Sequence, residues 1–237
     1  MKRVALVTGG AKRVGRAIVE KLVGEGFAVA FTYHSSTGDA EELTRKHQDI
    51  VAIQADLTKP EDLEERITRG LAGFADRFDL LVNNASLYQP SSLAKTDLAQ
   101  MRRFMSIHFE APLLLTRALA PRLRAARGHV VNMIDLLAER PWPEYLAYCA
   151  SKAALLNLTL GLARELAPEV TVNGIAPGVV EWPPGYPESE KQKYLKRVPL
   201  GRAGTPEDVA NLVHFLATDA DYITGQIIHL DGGRSVT

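Results

Sequence analysis

A chain of 237 residues with 46% hydrophobic content is long enough to enclose one sizeable core, and a single domain over residues 1–237 is expected. Its 28 basic residues balance its 28 acidic ones, so no bulk field draws it to nucleic acid or to an anionic membrane surface. The one cysteine, Cys149, excludes an intrachain disulfide and a cysteine-based zinc cluster. It fits a reducing compartment. No signal-peptide pattern follows Met1-Lys2-Arg3, and no apolar run approaches the roughly 20 residues that cross a bilayer, so a soluble cytoplasmic protein is expected.

Strands and helices alternate along the chain. VALVT (4–8) has the short apolar run of a buried parallel strand, and RAIVEKLVGEG follows at helical spacing. AVAFTY (28–33) is a second strand, GDAEELTRKHQ a polar helix and IVAIQADL a third strand. A helix is expected from Pro60 to about Ala75, and a fourth strand in FDLLVNNA (78–85). One long helix covers about Leu98 to Ala125, with Pro112 inside it as a point of bending. GHVVNM is strand five, and a helix containing Tyr148 runs to about Leu166, ahead of Ala167-Pro168. VTVNGIAP (170–177), a helix over 206–217 and GQIIHLDGG complete the series. Strands joined by helical crossovers predict an α/β fold with a doubly wound parallel sheet covered on both faces. The irregular segment from about Glu181 to Val198, with KQKYLKR as a short helix, sits where a lid over the carboxyl edge of the sheet is expected.

Two clusters carry chemistry. Between the first strand and first helix stands T-G-G-A-K-R-V-G, in which Gly9, Gly10 and Gly15 permit a tight turn and close approach of a pyrophosphate to a helix N-terminus. The spacing departs from G-x-G-x-x-G and has Arg13 where a further glycine would stand. The second strand ends in FTYHSST with no acid before Asp39. An acid at this point would bind the ribose hydroxyls of NAD. Here His34, Ser35 and Ser36, with Lys12 and Arg13 from the first loop, favour a 2′-phosphate and hence NADP(H). Asp56 either accepts from an adenine amino group or belongs to the turn before the next helix, where Thr58 is the better cap. Asn83 and Asn84 either brace the end of strand four or contact the cofactor.

The second cluster is Tyr148 and Lys152, four apart and so on one helix face, with Asp135 thirteen residues before the tyrosine. An ammonium beside a phenol is expected to lower the tyrosine pKa and ready it for proton transfer. Cys149 has no base partner in view and reads as a packed neighbour. His47, His129, His214 and His229 are scattered without metal-ligand spacing, so no metal is expected. Trp142, Trp182 and Tyr186 either wall a substrate site or pack the loop.

These residues in this order resemble the short-chain dehydrogenase/reductase family over essentially the whole chain. The marks are Thr8-Gly9, Arg13 and Gly15, Asp56-Leu57, Asn83-Asn84-Ala85, Tyr148 with Lys152, Asn173, Pro177-Gly178 and Asp231-Gly232-Gly233. The resemblance implies a seven-stranded Rossmann-type sheet, a homotetramer paired through the long helix and the Tyr148 helix, and transfer of the 4-pro-S hydride while Tyr148 protonates the substrate. It further implies that Lys152 holds the nicotinamide ribose and tunes Tyr148. Gly9, Val14, Leu57, Ala85, Pro177 and Gly178 would lie along the cofactor, and the segment after Gly178 would form a mobile lid. Two positions depart from the common pattern: Asp135 stands where the family usually has serine, and His108 where it has an asparagine that supports a water relay to the lysine.

Asp135 is shared with pteridine reductases and the related dihydromonapterin and dihydrofolate reductases. So are the TGxAKRxG loop, YH-x-S after strand two, NNAS followed by an aromatic, NM-x-D, VPL after the lid and YITG. That likeness implies that Arg13 and Ser86 reach both cofactor phosphate and substrate, and that Tyr88 stacks on a pterin opposite the nicotinamide. The arginine that usually follows the strand-two histidine is replaced by Ser35. The leading expectation is NADPH-dependent reduction of a pterin or dihydropterin, with Asp135, Tyr148 and Lys152 catalytic. The alternatives are reduction of a carbonyl, such as a 3-oxoacyl thioester or small ketone, and a non-catalytic binding protein on the same fold. A small-molecule substrate and further copies of this chain are the expected partners.

Overall fold

Seven short strands, each rich in aliphatic residues, line up side by side in the computed structural model, which describes residues 2–183 and 185–237. They are β1 (Val4–Val7), β2 (Ala28–Tyr33), β3 (Ile50–Gln54), β4 (Leu80–Asn83), β5 (His129–Met133), β6 (Thr171–Pro177) and β7 (Ile227–Leu230). Every pairing is parallel, in the order β3-β2-β1-β4-β5-β6-β7. The chain therefore leaves β1 toward β2 and β3, then returns to its other side at β4. That reversal opens a crevice at the carboxyl ends of β1 and β4, where ligands bind in such sheets.

Alternation along the strands assigns the two faces. Ala5, Val7, Leu80 and Val82 face α1 (Arg13–Gly24), α2 (Thr37–Lys46) and α8 (Pro206–Thr218), whose Ile18, Val19, Leu22, Leu43, Val209 and Val213 are buried with them. Val4, Leu6 and Leu81 face the other way, toward α3 (Leu63–Gly70), α5 (Ala111–Ala126) and α6 (Leu146–Glu165). Helix α8 starts on a full capping box, with Thr205 Oγ1 accepting from Asp208 N and Asp208 Oδ2 accepting from Thr205 N.

The long helix expected over Leu98–Ala125 is not one regular helix. It comprises α4 (Leu98–Met105), a π turn at Ser106–Glu110 and α5. Ala111 N donates to Ser106 O, five residues back. Pro112 has no N–H to continue the ordinary ladder and its ring crowds the preceding turn, so the wider turn ahead of it keeps the chain helical. The turn points Ser106, Ile107 and His108 inward. A second proline inside α5, Pro121, was not singled out from the sequence.

Other boundaries shift. The helix expected from Pro60 to Ala75 is a 3₁₀ turn at Pro60–Asp62 followed by the shorter α3. Most strands are shorter at their ends than their apolar runs. The short helix expected at 191–197 is α7 (Glu188–Leu195), and Pro184 lies outside the described residues. The expectation of no run long and apolar enough to span a bilayer is also corrected: α6 meets that test by length and composition, with a mean hydropathy of 1.3. Its apolar character serves packing here, since Leu155, Thr159, Leu162 and Ala163 are buried against the sheet and its neighbours.

Asn83 and Asn132 are paired across β4 and β5. Asn83 Nδ2 donates to Asn132 Oδ1 at 2.8 Å, and Asn132 Nδ2 donates to Thr159 Oγ1 of α6 at 2.9 Å. Asn83 therefore braces strand four, one of its two expected roles. Asn132→Ala leaves the Asn83 amide buried without its acceptor, at a cost of about 1–3 kcal/mol. Urea unfolding should show a lower midpoint at unchanged slope.

Candidate active site

The carboxyl ends of β1, β2, β4, β5 and β6 and the segment after β6 enclose one continuous cleft of about 1290 Å³. Pockets for one drug-sized ligand commonly measure roughly 300–1,000 Å³, so this cleft exceeds what one such ligand needs.

The first loop is built for a close backbone approach. Gly9 has φ +65°, and a Cβ on Gly15 would stand 2.1 Å from the Gly9 carbonyl oxygen. Asn84 Nδ2 donates to Thr8 O at 2.9 Å and to Gly9 O at 3.3 Å, while Thr8 Oγ1 accepts from Asn84 N and Ala85 N. The side chain of Asn84 thus holds the loop, and its residue also lines the cleft. Helix α1 begins at Arg13 with no side-chain cap, so its first N–H groups are left to accept an anion.

Each basic side chain expected at the cofactor phosphates has a carboxylate near it. Lys12 Nζ lies 3.0 Å from Asp39 Oδ2. Arg13, at φ +52°, donates from Nε to Glu181 Oε2 at 2.8 Å and from Nη2 to the Glu181 carbonyl. His34 Nε2 lies 3.8 Å from Asp56 Oδ2. Val14, His34, Ser35, Asp56, Leu57 and Lys59 line this end of the cleft. Ser36 does not; it precedes α2. The expected cap at Thr58 is reversed, because Asp56 Oδ1 accepts from Thr58 N and Thr58 Oγ1 and so makes the turn itself.

Asp135, Tyr148 and Lys152 converge at the other end. Strand β5 delivers Asp135 two residues beyond Met133, and α6 carries Tyr148 and Lys152 on one face. Tyr148 Oη donates to Asp135 Oδ2 at 2.5 Å. Asp135 Oδ1 accepts from Leu137 N at 2.8 Å, so this carboxylate caps a turn with one oxygen and addresses the phenol with the other. Lys152 Nζ donates to Met133 O at 2.8 Å and stands 6.0 Å from the centre of the Tyr148 ring.

This geometry corrects the expected electrostatics. Burial, followed by the Asp135 carboxylate, pushes the Tyr148 pKa well above the ordinary tyrosine value. The nearer charge is the anion, and the ammonium is bound to a carbonyl elsewhere. Burial raises Asp135, against the Leu137 N–H, the Tyr148 hydroxyl and the Lys152 charge. Burial also lowers Lys152 to about 8, opposed by Asp135.

His108, the possible relay, has protein partners on both ring nitrogens. Its ring is fully buried, with Nε2 2.9 Å from Ser86 Oγ and Nδ1 2.8 Å from Ser151 Oγ. Tyr88 packs edge-on against Tyr148, with ring centres 5.0 Å apart, and stacks on Tyr145 at 4.8 Å. Burial, and then the neighbouring Tyr145 hydroxyl, raise its hydroxyl pKa.

Beyond β6, Tyr194 of α7 packs its hydroxyl against Gly178, where a Cβ would lie 3.0 Å away, and accepts from Val179 N at 3.1 Å. Trp182 stacks on Tyr186 at 5.0 Å and meets Tyr194 edge-on. Trp142, Trp182 and Tyr186 therefore pack the surrounding segments and line the cleft at once.

Reading the sequence missed Lys59, Tyr145, Glu181 and Tyr194. The aromatic run WPEYLAY was the available signal for Tyr145. Glu181, far in sequence from Arg13, had none. Burial raises the Cys149 pKa, and among the described residues no three histidine, cysteine or acidic side chains gather as a metal site. His129 and His229 instead bond Thr171 and Glu139.

Comparison with known proteins yields consistent relatives. The family model described as enoyl-(acyl carrier protein) reductase matches residues 9–235. The 3-oxoacyl-[acyl-carrier-protein] reductase FabG of Aquifex aeolicus is 34% identical over 240 residues, covering 98% of this chain and 96% of that protein. Pteridine reductase 1 of Leishmania tarentolae is 33% identical, covering 99% and 96%. The crystal structure of FolM alternative dihydrofolate reductase 1 from Brucella canis, complexed with NADP, superposes with a TM-score of 0.89 at 34% identity, covering 99% of this chain and 95% of that one.

Because the Asp135 charge lies against the Tyr148 hydroxyl, alkaline titration should find that phenol still protonated where ordinary tyrosines, near pKa of about 10, have ionised. The difference in phenolate absorbance between the parent and Tyr148→Phe isolates this group. Asp135→Asn removes the anion and should bring the ionisation back down; an unshifted Tyr148 in both proteins would contradict the assignment.

Proposed function

Because the chain belongs to the short-chain dehydrogenase/reductase family of oxidoreductases, we propose that it reduces a pterin or dihydropterin with NADPH. The observation that carries this reading is the Asp135 carboxylate against Tyr148 Oη. A pterin edge offers ring N–H groups and an exocyclic amine, and these donors suit a carboxylate better than they suit a serine hydroxyl. Tyr88, half-exposed beside Tyr148, offers a flat ring a stacking face.

The residues fit the cofactor. A dinucleotide pyrophosphate suits the cradle that only glycine permits at Gly9 and Gly15, with the uncapped start of α1 behind it. No acid ends β2, and Lys12, Arg13, His34 and Ser35 supply charge and donors for a 2′-phosphate. Lys152 Nζ would hold the nicotinamide ribose, while Pro177 and Gly178 would flank the ring. Bound and reduced, the nicotinamide supplies the hydride.

Tyr148 delivers its hydroxyl proton to the reduced ring, and the Asp135 carboxyl, once it has taken a proton from solvent in the open cleft, reprotonates the phenolate across the same contact. The raised Asp135 pKa lets the carboxyl carry a proton nearer neutrality. The segment 181–198, with α7, would close over the substrate. Exposed Leu98 and Met101 on α4 and Leu146 and Leu160 on α6 offer the apolar faces of a homotetramer. The lone buried Cys149 suits the cytoplasm.

A second reading, reduction of a 3-oxoacyl thioester, is favoured by the similarity to FabG. NADPH oxidation measured across dihydrobiopterin, dihydrofolate, acetoacetyl thioester and a simple ketone separates the two. Asp135→Ser should cut pterin reduction by about tenfold or more and spare ketone reduction. Tyr88→Ala should raise the pterin KM by roughly 5- to 150-fold, the worth of one stacked ring. A parent that reduces only the thioester or ketone refutes the pterin reading.

The lowered Lys152 pKa sets a pH dependence. Below about 8 the group is an ammonium that attracts the anionic cofactor; above it the charge and one donor are lost. NADPH affinity, followed by fluorescence, should therefore weaken as pH rises through that value, and Lys152→Met should bind weakly without the step. NADPH should bind more tightly than NADH throughout.

A further inference from the structure

The buried imidazole of His108 has a job that the proton chemistry above does not use. It sits in the π turn before Pro112, parallel to Phe104 and edge-on to Tyr148, with ring centres 6.1 Å and 5.5 Å away. Three hydrogen-bonding groups converge on it. Leu87 N lies 3.3 Å from Nε2, Ser86 Oγ lies 2.9 Å from Nε2, and Ser151 Oγ lies 2.8 Å from Nδ1.

The backbone donor fixes the tautomer. Leu87 N–H can only donate, so Nε2 carries no proton. The neutral ring then bears its proton on Nδ1 and donates to Ser151 Oγ, whose own hydroxyl proton goes to Tyr148 O at 2.7 Å. Neutrality agrees with burial, which holds the His108 pKa well below the ordinary value. With Nε2 an acceptor, Ser86 must donate its hydroxyl proton to it. Ser86 Oγ therefore turns only lone pairs toward the cleft that it lines.

We propose that His108 is a positioning residue that fastens the Ser86–Tyr88 stretch to helix α6 and makes Ser86 an acceptor, which selects a substrate ring that presents an N–H or amine donor. The last clause rests on the pterin reading; the fastening does not. Two residues beyond Ser86, Tyr88 meets the ring of Tyr148, so the wall that would stack on the substrate and the group that would protonate it are held to one element through a single imidazole. An acceptor at Ser86 is a poor partner for a fully ionised phosphate, so its role turns from cofactor to substrate.

Two replacements divide the ring's bonds. An asparagine amide reaches about as far as Nδ1, so His108→Asn can keep Ser151 and must release Ser86 and Leu87. A glutamine amide reaches about as far as Nε2, so His108→Gln can keep the loop. With circular dichroism and thermal melting confirming folded protein, steady-state kinetics are measured on dihydrobiopterin and on acetoacetyl thioester, using whichever the parent reduces. His108→Asn should raise the substrate KM by about tenfold, the worth of a lost hydrogen bond, with kcat within about threefold and NADPH affinity unmoved. His108→Gln should recover most of the loss. The double variant His108→Asn/Tyr88→Ala should be no worse than Tyr88→Ala alone, since both act on one wall.

A parent active only on the thioester refutes the pterin reading and the donor selection but leaves the KM test of fastening intact. A His108→Asn enzyme with parental KM, or one whose loss lies in kcat with an enlarged solvent isotope effect, overturns the proposal in favour of a relay. Full additivity with Tyr88→Ala overturns it as well. Should the asparagine variant not fold, the ring nitrogens of labelled parent protein give the decision by NMR. A neutral Nδ1–H imidazole is expected, and a proton on Nε2 is incompatible with the proposal.

Discussion

One short contact organises the site: the hydroxyl of Tyr148 donating to Asp135 Oδ2. A buried phenol and a buried ammonium stand here with a partly buried carboxylate, and each is costly away from water unless it is bonded. The fold supplies those bonds from several directions. Leu137 N serves Asp135, Met133 O serves Lys152, and β5 and α6 are held in register by the Asn83–Asn132–Thr159 series. Displacing α6 relative to β5 would break the contact and expose the cost of all three groups.

The cofactor end of the cleft follows a different rule. Lys12 and Arg13 are exposed and each is paired with a carboxylate, so an incoming phosphate competes with Asp39 and Glu181 for them. Solvent-exposed pairs of this kind are weak, commonly below about 1 kcal/mol, and yield to a multiply charged ligand that several donors grip at once. Arg13 also links the first loop to the segment after β6, so a phosphate that takes Arg13 releases Glu181. Binding at one end of the cleft thereby touches the segment that would cover the other.

Between these ends stands an aromatic wall. Tyr88, Tyr145 and Tyr148 pack on one side, Trp182, Tyr186 and Tyr194 on the other. Flat rings bury large area at little entropic cost and still offer faces to a planar ligand. His108 lies behind one side of this wall, and its full burial is tolerated because both ring nitrogens are bonded to protein groups.

Local patterning alone determined much of this protein. Apolar-rich segments of five to nine residues marked all seven strands, their helical separators made the sheet parallel, and the spacing of Tyr148 and Lys152 put both on one face of α6. These are short-range properties of backbone period and side-chain type. The glycine turn and the strand-two end were legible for the same reason. What only the tertiary structure decided involves residues far apart in the chain. Asp135, rather than Lys152, governs the Tyr148 hydroxyl; Glu181 holds Arg13; and His108 binds Ser86 and Ser151. Hydrogen bonds and desolvation act over a few ångströms in space and carry no fixed separation along the sequence, so the state of each group followed from what folding set beside it.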